Sequence, residues 1–299
     1  MSDFFQPPPP REPDPIPEQP PWIGPPENEL GVPVPLRRVL ARTDDLAVAL
    51  TEVAAYSTGL EFRIEIRLRS HDELIDPFGM RHAHRRGLTV AGHIPAFMRA
   101  EQAVRAGYDE ITHINQVMLN FVVRPGDDTR TLVRFERVGE DGAKLDLKSP
   151  QARAFLELLR KRGTAVDPTV ATFESMFTQA QGQPSPTLAA VAAHLPVMWQ
   201  RGLRSAEMDL RGARLATFRT SYRRMLELTA AMHRAGIPIV AGTDGIAGLG
   251  LHREAELYVE AGIPAREALR ILTWNGARLA GEGAHRGRVE RGYAADLVL

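Results

Sequence analysis

Between residues 81 and 280, short apolar runs alternate with helical patterns, and this alternation constrains the fold more than any other feature of the chain. Residues 88–93 (LTVAGH) read as a buried strand, Ala100 to Ala106 as a helix closed by Gly107, and residues 110–113 (EITH) as the next strand. Ser149 is a good N-cap with Pro150 at the first helical position. Phe155, Leu156, Leu158 and Leu159 supply that helix's buried face, and Gly163 stops it. Thr164 to Val166 is a short strand. A long helical pattern from about Leu215 to Ala235 then hands over at Gly236 to an apolar strand, residues 237–242. Helices over His252–Ala261 and Pro264–Ala280 follow. Short apolar strands with intervening helices form parallel sheets. There are about four strand–helix units where a closed (β/α) barrel needs eight. The expected fold class is α/β, a partial TIM-like (β/α) barrel.

Upstream the pattern differs. Thirteen of the 23 prolines fall between Pro7 and Pro35, so residues 1–30 are expected to be a disordered Pro-rich tail. In residues 31–80 an apolar run, Leu46 to Tyr56, precedes a turn at Ser57, Thr58 and Gly59. Leu60, Phe62, Ile64, Ile66 and Leu68 then alternate with charged residues. Period-two alternation marks a half-buried strand, and the pair predicts a β-hairpin, which needs further strands or a partner surface to be stable. The expected organisation is a tail (1–30), a β segment (31–80) and a partial barrel with a C-terminal return strand (81–299).

A formal net charge of zero points to neither nucleic acid nor membrane as partner. No apolar run approaches the roughly 20 residues of a membrane helix, and the N-terminus shows no signal-peptide pattern. A cytoplasmic location is the expectation. With no cysteine, any metal must sit on imidazole and carboxylate, drawn from only nine histidines.

His93, His113 and Asp244 share one property: each lies just past a predicted strand. In a parallel barrel such positions converge on one rim, where the active-site loops gather. Two imidazoles and an aspartate there suit a divalent ion, zinc first, and the aspartate can accept a proton from the attacking water. Alone, either histidine reads as a hydrogen-bonded core or loop residue and the aspartate as a helix cap. Two weaker candidates are His252, read as packed at a helix start, and Glu174, read as pocket-lining or simply solvated.

Residues 87–93 (GLTVAGH), 107–113 (GYDEITH) and 237–244 (IPIVAGTD) resemble strands five, six and eight of the amidohydrolase superfamily. Residues 251–262 resemble the following helix of its imidazolonepropionase-like, Xaa-Pro dipeptidase-like branch, and residues 292–299 a strand returning to its small β-sandwich. The resemblance covers about residues 81–299 and implies barrel strands five to eight. It also implies that His93 and His113 bind one metal and that Asp244 binds another and acts as general base. The implied activity is hydrolysis of amide-type C–N bonds in a dipeptide or other small-molecule substrate. Residues 1–80, with Trp22-Ile23-Gly24-Pro25-Pro26, resemble small actinobacterial proteins, which implies no chemistry.

The family's strand-one His-x-His pair and its bridging lysine or glutamate have no match upstream of residue 81. His82-Ala83-His84 reads as a helix end, where residues two apart point about 200° apart and cannot grip one ion. The expectations are an impaired metal site in a truncated or fused chain, and open sheet edges that invite homo-oligomers. The alternative is an inactive binding or assembly module.

Overall fold

The computed structural model describes residues 30–36, 38–42, 46–57, 59–68, 83–84, 87–245 and 248–297. The expected Pro-rich tail lies outside these residues except for Leu30, as do His71 and His82. The chain divides into two compact units, Met1–Ile75 and Asp76–Leu299.

The first unit contains β1 (Val32–Val34), β2 (Arg38–Arg42), β3 (Leu46–Tyr56) and β4 (Gly59–Leu68). The expected hairpin forms: β3 and β4 pair antiparallel from Leu46↔Leu68 to Tyr56↔Gly59, with a register shift between Leu50 and Glu52. Two strands that hydrophobic patterning did not announce complete it. β1 pairs with residues 53–55 of β3 and β2 with residues 47–50, both antiparallel. Four strands thus supply the support that a lone hairpin lacks.

The second unit is built on a parallel sheet ordered β5 (Ala91–Gly92), β6 (Glu110–Thr112) and β7 (Ala165–Asp167). A parallel bridge from Val166 to Ile239 adds the next segment. The ladders are shorter than the apolar runs predict. Among the described residues the run 237–242 joins through that one bridge, because its outer side meets no strand. Val166 N–H donates to Pro238 O and Val240 N–H to Val166 O, so the Ile239 amide groups face the open edge. There Asn275 Nδ2 donates to Ile239 O at 2.8 Å, a side chain standing in for a neighbouring strand.

Helices fill the connections: α1 (Ala100–Ala106), α2 (Ile114–Val122), α3 (Val133–Asp141), α4 (Pro150–Arg162), α5 (Val170–Thr178), α6 (Val197–Gly202), α7 (Gly212–Arg234), α8 (Gly250–Glu260), α9 (Ala265–Arg270) and α10 (Gly276–Leu279). The Ser149 hydroxyl accepts from Ala152 N–H at 3.1 Å, and Gly163 closes α4 in the left-handed region. The single helix expected over Pro264–Ala280 is interrupted by a π turn, Ile271–Asn275, which carries the edge-capping Asn275. Residues 292–297 form no strand. Ala294 N–H bonds only to His285 O, so the expected return strand has no ladder among the described residues.

The core runs from Ile94 to Ile271 and contains Tyr258, Phe173, Phe177, Phe218 and Met225 fully buried. An aromatic series leads through it, from His113 to Phe173 (ring centroids 6.1 Å apart), Phe177 (5.9 Å) and Phe218 (5.1 Å). α8 fixes α5 in two ways. Glu254, fully buried, accepts from Val170 N–H (2.9 Å) and Ala171 N–H (2.7 Å), capping the first turn of α5. Arg253 makes a two-pronged pair with Glu174 at 2.9 and 2.6 Å. Glu174 is therefore neither pocket-lining nor solvated: it is a buried ion-pair partner 79 residues from Arg253.

Candidate active site at the strand ends

The parallel register sets Gly92 level with Ile111, and Thr112 level with Asp167, so His93, His113 and Asp167 emerge along one end of the sheet. The His93 and His113 rings lie 4.7 Å apart between centroids, tilted by 53°. His113 Nε2 stands 3.6 Å from Asp244 Oδ2. His113 is the pivot: buried itself, it has the more exposed His93 on one side and the exposed Asp244 on another.

Three of the four non-glycine residues with positive φ among the described residues sit here: His113 (75°), Thr169 (45°) and Asp244 (41°). Side chains rarely adopt such backbone, and its concentration at strand ends is typical of sites whose geometry the fold imposes. The neighbouring hydrogen bonds account for it. His113 N–H donates to Asp167 O, and Asp167 Oδ1 accepts from Thr169 N–H (3.1 Å) and Gly242 N–H (2.9 Å). One carboxylate thus ties the turn after β7 to the turn leading to Asp244.

The Thr169 hydroxyl donates to Pro168 O at 2.8 Å and stands 2.6 Å from His113 Nδ1. With its proton committed to Pro168, the hydroxyl accepts from Nδ1–H. That leaves the lone pair on Nε2, the nitrogen facing Asp244. Burial, then the neighbouring His93, push the His113 pKa down to about 4 against the opposing pull of Asp244, so the ring is neutral at physiological pH. His93 is lowered by burial and by the charge of Arg134. Asp167 is raised to about 7 by burial and by Glu110, against its two backbone donors. Burial also raises Glu110 and Glu207, the latter with help from Asp244.

The structure brings the three sequence-predicted residues to one rim, with His113 in contact range of both others. Among the described residues, however, no three His, Asp or Glu side chains close into a group able to hold a metal ion. Sequence reasoning missed Asp167, Glu110, Glu207 and Arg134. Asp167 carried a usable signal, since it directly follows a predicted strand. His252 is exposed rather than packed. His84 lies at the opposite end of the strands, with Nε2 2.7 Å from the Asp109 carboxylate, which also accepts from Val90 N–H. It plays no part in the rim.

A parallel α/β sheet presenting imidazoles and carboxylates at the ends of its strands places them where α/β folds build their active sites. The amidohydrolase family model matches residues 79–299, and the chain belongs to that family. Its members generally bind divalent metal ions. No curated protein matches the chain. Similar solved structures include an Xaa-Pro dipeptidase with bound methionine (18% identity, TM-score 0.40, covering 72% of this chain and 39% of that one). A bottromycin amidohydrolase is also similar (20%, 0.43, 70% and 45%). A third is a prolidase complexed with N-methylphosphonate-L-proline (19%, 0.40, 77% and 41%). The chain spans less than half the length of each.

Proposed function

We propose that this chain is a metal-dependent hydrolase of amide-type C–N bonds, acting on dipeptides or related small amides from a partial (β/α) barrel, strands five to eight. The carrying observation is His113, with Nε2 free, flanked by His93 at 4.7 Å and Asp244 at 3.6 Å. In type, these donors fit a divalent ion, zinc first. In placement they fall short, since catalytic zinc normally takes three protein ligands and, among the described residues, these three do not close into one metal-holding group. His93, His113 and Asp244 would hold the ion, loosely.

When bound, such an ion polarises the amide carbonyl and acidifies water. The remaining chemistry belongs to the protein. Burial keeps His113 neutral, and the contact of Nδ1 with Thr169 orients the ring. Asp244 Oδ2 accepts the proton of the attacking water and returns it to the leaving nitrogen. Asp167 holds the Gly242 amide and so fixes the turn that carries Asp244. A cytoplasmic setting and self-association through the open sheet edge beside Ile239 complete the reading.

The incomplete donor set favours a second statement: metal affinity and turnover are well below those of a three-ligand site, down to an inactive module. Metal content after dialysis against Zn²⁺, and hydrolysis of an Xaa-Pro dipeptide panel with Zn²⁺ present, test both. Stoichiometric zinc lost in the His113→Ala protein, with slow turnover, is expected. Metal without turnover leaves the binding module. Neither metal nor turnover removes the hydrolase.

A further inference from the structure

In the first unit, β3 and β4 stay in phase across a bulge. Before it, the apolar residues of β3 are Leu46, Val48 and Leu50, and after it Val53 and Ala55, a switch from even to odd positions. The register shifts between Leu50 and Glu52, which leaves Thr51 with no residue opposite. β4 runs on without interruption. Leu68, Ile66 and Ile64 therefore stand opposite the first three, and Phe62 and Leu60 opposite the last two. Without the extra residue, half of β3 would turn to the other face. Val32 and Val34 of β1 extend the rows of Ala55 and Val53, and Ala41 of β2 extends that of Val48.

Among the described positions in these rows one residue is charged, Arg38, opposite Leu50 at the β2 margin. The alternate rows hold Arg42, Glu61, Glu65, Arg67 and the Glu52–Arg63 ion pair, 3.2 Å apart. One face suits water and the other suits burial. Among its described residues, however, this unit is a single layer of strands without a helix. Val53, on the central strand, is 9% exposed. Val32 and Leu60, which flank Ala55 in one row, are 64% and 66% exposed.

We infer that this face is a dimer interface, on which a second copy packs its own apolar face about a two-fold axis. The two sheets would lie about 10 Å apart as a β-sandwich. The area argues for a second copy. The eleven residues of β3 extend about 35 Å, and the sheet is three strands wide, about 14 Å. That is a footprint of about 500 Å² on each copy and about 1,000 Å² for the pair, the size at which specific interfaces begin. A second copy matches this face in length, width and residue type, and it leaves Arg38 at the margin, where interfaces carry their charges. The surface is distinct from the open edge beside Ile239.

Sedimentation equilibrium of the full-length chain from about 1 to 100 µM is the test. Self-association within this range is expected for an interface near the lower size limit. Val32→Lys and Leu60→Lys each place a charge in the interface twice per dimer, and each should weaken association about 10- to 100-fold. Both positions are exposed in the single chain, so melting of the dilute variants should match that of the intact protein. If a lysine variant does not fold, Val32→Gln and Leu60→Gln carry the same test, with a smaller loss in the same direction. Val39→Lys, in an alternate row and also exposed, should leave association unchanged. A chain that stays monomeric at about 100 µM overturns the inference. So does association that survives Val32→Lys and Leu60→Lys together, which would belong to another surface such as the edge beside Ile239. Equal weakening by Val39→Lys would overturn it as well.

Discussion

At the residue scale, the site depends on close approaches that tolerate no extra atoms. Gly242 is the sharpest. A Cβ built on it would stand 2.0 Å from Asp167 Oδ2 and 2.8 Å from Asp167 Cγ, while its amide donates to Oδ1 of the same carboxylate. The backbone leading to Asp244 therefore passes directly over Asp167, which only glycine permits. Gly242→Ala must either turn the Asp167 side chain away or lift the 242–244 turn, and either breaks the link between the turns after β7 and after Ile239. A loss of about 1–3 kcal/mol of stability is expected from the displaced buried carboxylate and its unpaired amide. Urea unfolding measures the loss, and under the proposed metal-dependent function any zinc affinity should fall with it as Asp244 leaves His113. A Gly242→Ala protein with unchanged stability would mean that Asp167 does not occupy this position.

At the element scale, α8 secures the site without touching it. Its Glu254 carboxylate caps α5 at Val170 and Ala171, directly after Thr169, whose hydroxyl orients His113. Replacing Glu254 with alanine leaves two buried amide donors unpaired at a helix start, at about 1–3 kcal/mol each. For a domain of this size that lowers the melting temperature by several degrees. The more telling readout is local: hydrogen exchange in residues 169–173 should accelerate more than in α4, whose cap is Ser149. Uniform acceleration across both helices would show that Glu254 supports the core in general rather than this turn. This linkage was not legible in the sequence. Glu174 and Arg253, or Glu254 and Val170, are some 80 positions apart, and only the packing of α5 on α8 makes them neighbours. What patterning could reach was local: the Ser149–Pro150 start and Gly163 stop of α4, and the apolar strands that deliver His93 and His113. It overran where an element's extent depends on neighbours. The run 237–242 shrinks to a bridge at Ile239, and the last helix breaks into a π turn at Asn275, the residue that caps the open edge.

At the scale of the whole molecule, the buried titratable groups make stability depend on pH with a definite sign. Burial raises Glu254 to about 7, against the pull of its two amide donors, and raises Asp167 to about 7. Both stand well above the carboxylate range of an unfolded chain, near pH 4. The folded state therefore keeps these protons longer. Their contribution is full below about pH 4 and is lost as pH rises through 7. His113 runs the other way. Its folded pKa is depressed to about 4, so its contribution is present above the ordinary imidazole range and is lost as pH falls through 4. From about pH 4 to 6.5 the histidine cancels part of the carboxyl slope, and above pH 6.5 the carboxyls act unopposed. Urea unfolding of the metal-free chain should thus show stability falling between pH 6.5 and 8.5, by on the order of 1 kcal/mol per carboxyl. The decline should be smaller in the Glu254→Ala protein, which retains only the Asp167 share. A profile that rises over this window in the intact chain would mean that Asp167 and Glu254 are ionised at neutral pH, and that their backbone donors outweigh burial.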